Sequence, residues 1–371
     1  MTLSERIRPQ GPKRILALDG GGIRGIISLE ILASIESLLR EKLGHKDDFV
    51  LADYFDFFAG TSTGAIIAAA LSLGMKVADI RKFYLESSSE MFEKASVLRR
   101  FRYKYEDKKL SQKLREVFGA DTTLGSDRLK TLLLLVMRNA TTDSPWPISN
   151  NPFAKFNQRE LPDCNLNIPL WQLVRASTAA PVFFPPEVVQ VGEQEFIFVD
   201  GAATTYNNPA FQAFLMATVE PYKLNWPAGE DKILLVSIGT GITPKADTAL
   251  QASEMNLLYI SASLPMALIF AALNEQDFLC RVFGKCLVGD PLDQEIGDLI
   301  GQQGPVSPKL FTYLRYNVEL TSQGLDDLGL ADIQPKEVQK IDSIEHTADL
   351  QRIGQAAARQ KVKLQDFTAF L

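Results

Sequence analysis

Histidine and cysteine are nearly missing from this chain: two and three among 371 residues. Cys164, Cys280 and Cys286 fit no metal-ligand spacing, so no metal is expected, and they read as reduced, structural thiols of a cytoplasmic protein. His45 lies in a polar connection, Lys42-Leu43-Gly44-His45-Lys46-Asp47-Asp48, and reads as solvated. His346 sits beside Glu345 and near Asp349, which read as a solvent face. There is no excess of positive charge either. A net charge of −6 argues against a nucleic-acid polymer as partner. No apolar core of a secretory leader follows the polar first ten residues. The longest apolar stretches, 132–137 and 264–273, fall far short of a membrane span. No Pro/Gly/Ser-rich linker, repeat or low-complexity tract divides the chain, so one α/β domain is expected over 1–371.

What the chain does have is glycine at pointed places. Phe55-Asp56-Phe57-Phe58-Ala59 reads as a strand and Ala65-Ile66-Ile67-Ala68-Ala69-Ala70 as a helix. Between them lies Gly60-Thr61-Ser62-Thr63-Gly64, a sharp turn whose glycines permit a tight reversal. Ser62 then stands at the head of a helix, where the dipole favours negative charge. This is the nucleophile-elbow pattern, and it makes acyl transfer the first chemistry to test.

A second glycine block follows the strand Arg14-Ile15-Leu16-Ala17-Leu18 and opens a helical pattern over 26–39. In Asp19-Gly20-Gly21-Gly22-Ile23-Arg24-Gly25, successive backbone amides are free to converge on an anion. Gly20, Gly22 and Gly25 fit a dinucleotide fingerprint, but the next strand runs into the serine turn and no acidic residue takes the ribose position. The other anion is the oxyanion of a tetrahedral intermediate. Arg24 either adds positive charge there or pins the loop.

Serine needs a base. His346 follows Ser62 in the order of an α/β-hydrolase triad but lacks site context. Asp200 is the better candidate. It ends the strand Glu195-Phe196-Ile197-Phe198-Val199 and is freed by Gly201, although a lone Asp-Gly is more often a β-turn. Asn207-Asn208-Pro209 then reads as a helix cap with proline at the first helical position.

The three motifs in this order, with Leu51-Ala52-Asp53-Tyr54 before the elbow and Arg175-Ala176-Ser177-Thr178-Ala179-Ala180-Pro181 before the third, resemble the patatin-like phospholipase family. The resemblance spans 12–320. It implies a three-layer fold, a mainly parallel sheet flanked by helices, with 321–371 as a helical extension packed on the core. It implies a Ser62–Asp200 dyad, an oxyanion hole from Gly20, Gly21, Gly22 and Arg24, and motif roles for Gly25, Gly60, Gly64 and Gly201. It implies hydrolysis of phospholipid and other lipid acyl esters without metal or cofactor, by a cytoplasmic enzyme peripheral to the inner membrane. The alternatives are a broad esterase or acyltransferase on soluble donors, and a non-catalytic lipid-binding or storage protein.

Three stretches stay open. Arg99-Arg100-Phe101-Arg102-Tyr103-Lys104-Tyr105, followed by Lys108 and Lys109, is a solvated face, a lipid-headgroup contact or a site for a phosphate-bearing effector. Residues 257–283 are apolar around much of their circumference. Core is expected for the first half, while the second half is open between core and a lid or interfacial anchor. The block 150–157 and the tail from 315 onward resemble bacterial members of the family more than plant storage patatins. Some of these look like antiphage effectors switched on by a cyclic di- or oligonucleotide, for which a homo-oligomer would be suited.

Overall fold

The computed structural model describes residues 2–44, 48–91, 107–243, 251 and 255–371. The basic run 99–105 and His45 lie outside them. The strands are β1 (Lys13–Leu18), β2 (Phe57–Thr61), β3 (Leu132–Asn139), β4 (Ser144–Ser149), β5 (Glu187–Val191), β6 (Gln194–Asp200), β7 (Ile233–Ile238), β8 (Lys285–Val288) and β9 (Thr312–Tyr316). The helices are α1 (Leu3–Ile7), α2 (Gly25–Lys42), α3 (Leu51–Tyr54), α4 (Thr63–Ser72), α5 (Val77–Met91), α6 (Asp107–Phe118), α7 (Leu170–Ser177), α8 (Ala210–Thr218), α9 (Leu257–Phe283), α10 (Ser322–Asp327), α11 (Pro335–Val338) and α12 (Thr347–Lys361).

Continuous apolar runs make the central strands, as expected where helices cover both faces of a sheet. Alternate residues divide between two cores. Leu16 and Leu18 point into one, with α2, α4 and α7, while Ile15 and Ala17 point into the other, with α8. The order is β5-β6-β3-β2-β1-β7-β9-β8, with β4 paired to β3. β2, β1, β7, β9 and β8 run parallel, joined by parallel pairing of β2 to β3, while β4 and β6 run antiparallel to β3. This is the expected layered, mostly parallel arrangement. After β9 the chain adds α10 to α12, and α12 packs along α2.

Three expectations shift. The strand before Ser62 starts at Phe57 and includes Gly60 and Thr61. Phe55 and Asp56 fall outside it, because the Asp56 carboxylate accepts from Arg6 and from the Arg14 amide. Pro209 is not the first helical residue but stands one place before it, and Asn208 Oδ1 accepts from Ala210 N–H.

The larger change concerns α9. Its first half, expected in the core, is exposed: no described residue before Leu273 is buried. Its second half is the buried one, with Leu273, Gln276, Asp277, Cys280 and Arg281 packed inside. The reason is length. A helix of 27 residues is about 40 Å long at ~1.5 Å per residue. A strand of six residues, such as β7, is about 20 Å tall. The sheet can cover only half of α9, and the half that leads directly into β8 is the half it covers.

Candidate active site

β2 delivers Ser62. The serine has φ 56° and ψ −122°, a conformation that costs a non-glycine residue about 1–3 kcal/mol. Strand and helix close so tightly here that only glycine fits on either side. A Cβ on Gly60 would meet the Gly64 carbonyl, and one on Gly64 would meet the Leu18 carbonyl. The strained turn is braced from outside: Ser62 N–H donates to Ser177 Oγ at 2.9 Å, and Ser177 Oγ donates to the Val136 carbonyl. α4 starts at Thr63, so Ser62 Oγ stands at a helix N-terminus.

Asp200 arrives by a different route from that of a carboxylate at the end of a parallel strand. β4 occupies one edge of β3 over 134–139. The other edge is shared. β2 pairs with its first part, Thr61 opposite Val136, while β6 pairs antiparallel with its end, Asp200 opposite Met137. Two strands thus run toward each other along one edge and stop at adjacent register positions. Their tips are Thr61-Ser62 and Asp200-Gly201. Ser62 Oγ donates to Asp200 Oδ2 at 2.6 Å, and Asp200 Oδ1 accepts from Ala202 N–H at 2.7 Å. Asp200 is 2% exposed. Burial pushes its carboxyl from 3.8 up to about 6, against the hydrogen bonds from Ser62 and Ala202 that favour the charged form.

The glycine loop lies directly against this pair. A Cβ on Gly20 would sit 3.2 Å from Ser62 Cβ and would strike Asn207. The loop's amides are unequally committed, which narrows the expected anion site. Gly20 N–H donates to the Asn207 carbonyl, Ile23 N–H to the Ile341 carbonyl and Arg24 N–H to the Gly21 carbonyl. Among the described residues only the Gly21 and Gly22 amides of this loop donate to no acceptor. Gly20 is therefore a close-packing position rather than a free donor. Arg24 is engaged elsewhere in part: its Nη1 donates to the Gln339 carbonyl at 3.3 Å, while its buried Nε meets no acceptor. Burial lowers its guanidinium to about 10, opposed by Asp19. Arg24 pins the loop to the segment before α12.

The loop's first residue is held still more firmly. Asp19 takes both Oδ atoms onto Arg315 of β9, at 3.0 and 2.6 Å. Arg315 also donates to Ser237 Oγ at 2.7 Å and lies 3.8 Å from Asp277 of α9. Burial alone would lower the Arg315 guanidinium, but Asp19 outweighs it and holds it above its usual range.

The motif residues thus meet in one place, while His346 does not join them. It stands just before α12, without a capping bond from its side chain to the helix backbone, and its Nδ1 lies 3.3 Å from Asp349 Oδ2. No group of three or more metal-ligating side chains occurs among the described residues. The three cysteines are free and buried. Sequence reasoning missed Ser177, Asn207 and Arg315 as supports of the site. Ser177 and Asn207 stood in segments already singled out. Nothing in the sequence pointed from Asp19 to Arg315.

Comparison with known proteins gives the following. A family model described as Patatin-like phospholipase matches residues 16–214. Patatin-like protein 1 of Arabidopsis thaliana is 32% identical over 321 residues, covering 74% of this chain and 75% of that protein. Patatin-T5 of Solanum tuberosum is 33% identical over 264 residues, covering 65% of this chain and 63% of that protein, so the chain spans under two thirds of the potato protein. Among solved structures, VipD from Legionella pneumophila aligns over 92% of this chain and 67% of its own, at 15% identity and a TM-score of 0.35, a likeness too weak to carry an argument.

Proposed function

Because the chain belongs to the patatin-like phospholipase family, we propose that it hydrolyses acyl esters of phospholipids through Ser62 and Asp200. The observation that carries this reading is the 2.6 Å bond from Ser62 Oγ to a buried carboxylate, made at a strained strand–helix turn. An ordinary carboxylate is a poor base for a serine hydroxyl. One lifted to about 6 is closer to the working pH and better matched to the task.

In the proposed reaction the Ser62 proton passes to Asp200 Oδ2 as Oγ bonds to the ester carbonyl carbon. The carbonyl oxygen takes the negative charge and is met by the Gly21 and Gly22 amides and the start of α4. The carbon–oxygen bond to the lysolipid then breaks, and Asp200 gives its proton to the departing alkoxide. Water attacks the acyl-enzyme, loses a proton to Asp200, and releases the fatty acid as Ser62 Oγ recovers that proton. Water is the only co-reactant. Gly20, whose N–H is committed to the Asn207 carbonyl, holds the loop's shape, and Arg24 ties the loop to Gln339.

The test is fatty-acid release from phospholipid vesicles, together with labelling by a fluorophosphonate probe. Ser62→Ala is expected to lose both, and probe labelling that survives the change would reject Ser62 as the nucleophile. A soluble-ester specialist would instead turn over monomeric esters and spare vesicles. Adding a panel of cyclic dinucleotides to the same assay tests the regulatory expectation, which fails if none of them activates.

The pH profile is a second prediction. The active form has Asp200 ionised, and its carboxyl stands near 6. Activity (kcat/KM) should fall about tenfold per pH unit below that value and level off above it. His346→Ala should leave both plateau and midpoint unchanged. A midpoint that moves with the His346 change would put the base on histidine.

A further inference from the structure

The exposed half of α9 has a property that water-facing helices lack. Residues 255–274 contain no Asp, Glu, Lys or Arg. Tyr259, Ile260, Leu264, Met266 and Leu268 are all exposed, Leu268 at 60%. At 100° per residue these five positions spread around the helix rather than along one stripe. A helix that is apolar over an arc of about 200° and carries no charge belongs in an apolar surround. A single folded partner would cover one face and leave the rest in water.

Topology places this half of α9 beside the catalytic edge. β8 lies parallel to β9 and β7, and α9 leads into its start, so α9 runs antiparallel to these strands. Its buried end lies toward the strands' N-terminal edge. Its exposed end therefore projects past their C-terminal edge, where the turns after β1 and β2 put Gly20 and Ser62.

A second, independent feature marks the other side of the site. Val182 is 72% exposed and has φ +73°, a backbone conformation that a β-branched residue adopts only under strain. It stands three residues after Ala179, whose carbonyl accepts from Asp200 N–H. Apolar side chains therefore reach solvent both next to Asp200 and from α9, on the same edge of the sheet.

We infer that the N-terminal half of α9, with the Val182 turn, is the surface by which this protein docks on a phospholipid aggregate. The helix inserts among the lipid chains without crossing, since no helix among the described residues is long and apolar enough to span a membrane. The inference rests on the phospholipase reading above and names how the enzyme reaches its substrate. It also assigns the unequal halves of α9 two tasks. Cys280, in the core, and Asp277, which meets Tyr313 and Arg315 of β9, hold the helix to the sheet, and the free half meets lipid.

The test pairs Leu264→Glu with Leu268→Glu, both at exposed positions, and uses dioleoylphosphatidylcholine vesicles and p-nitrophenyl butyrate. The double variant should sediment with vesicles at least about tenfold less and hydrolyse vesicular lipid at least about tenfold more slowly. Turnover of the monomeric ester should stay within about twofold of the parent. Unchanged vesicle binding overturns the inference. So does a parent protein that is dimeric without lipid and becomes monomeric on the double change, because a second copy then covers α9. An equal loss on both substrates also overturns it, since that marks a structural effect. If the parent turns over neither substrate yet binds vesicles through these leucines, the hydrolase reading fails and the docking surface stands.

Discussion

Asp200→Asn is expected to lower kcat/KM by about 10³–10⁴-fold while making the protein more stable at pH 7. The two effects share one cause. The amide preserves the local geometry, with its oxygen accepting from Ala202 N–H and its nitrogen donating to Ser62 Oγ. It cannot take the serine proton, and its donated hydrogen turns the hydroxyl the wrong way. For stability the sign follows from the direction of the shift. The folded carboxyl stands near 6 against 3.8 without burial, so the folded state holds the proton more tightly. The stability contributed by that proton is complete below pH 3.8 and is lost as pH rises through about 6. Above pH 6 the parent carries a buried charge that the amide variant does not, at a cost on the order of a few kcal/mol. Urea unfolding at pH 7 should therefore favour the Asp200→Asn protein, with the gap closing toward about pH 4. Parent-like activity with a gain in stability would reject Asp200 as base. Lost activity with lost stability would mean that the side chain mainly holds the fold.

The second large effect lies away from the reacting atoms. Arg315→Met should destabilise the protein by about 3–5 kcal/mol, read from the urea midpoint at constant m-value. It would leave Asp19 buried at 1% exposure without its bidentate partner. Asp277 keeps Arg281 and the Tyr313 hydroxyl, so Asp19 bears most of the loss. Asp19→Asn combined with Arg315→Met should recover part of the stability, because no unpaired charge then remains. A loss under about 1 kcal/mol for Arg315→Met would show that water or a shifted side chain replaces the guanidinium. Since Asp19 begins the glycine loop, the same variant should blunt fluorophosphonate labelling of Ser62 even where it remains folded.

Local chemistry makes part of this site readable. β1 with its glycine loop and β2 with its elbow are each a short apolar run, a glycine cluster and a helix, all within about 15 residues, so their signals do not depend on distant contacts. The same reading misplaces the start of β2 by two residues, because Asp56 is fixed by Arg6, 50 residues away. It also takes all three glycines and Arg24 as one donor set. Which amides are free depends on Asn207 and Ile341, and neither is near in sequence.

The first half of α9 reads as core and is exposed for a similar reason. Apolar periodicity reports that a helix seeks an apolar surround, but not which part of it a sheet is tall enough to cover. By itself, then, the sequence determined the family resemblance, the layered α/β class, the serine at a tight turn and the scarcity of histidine that turns attention to a carboxylate. Tertiary structure alone decided that β6 runs antiparallel and stops one register position from β2. That head-on meeting along β3 brings Asp200 within 2.6 Å of Ser62 across 138 residues, and its burial there is what lifts the carboxyl toward 6. Strand direction and burial are properties of the assembled sheet, so no local run of residues encodes them.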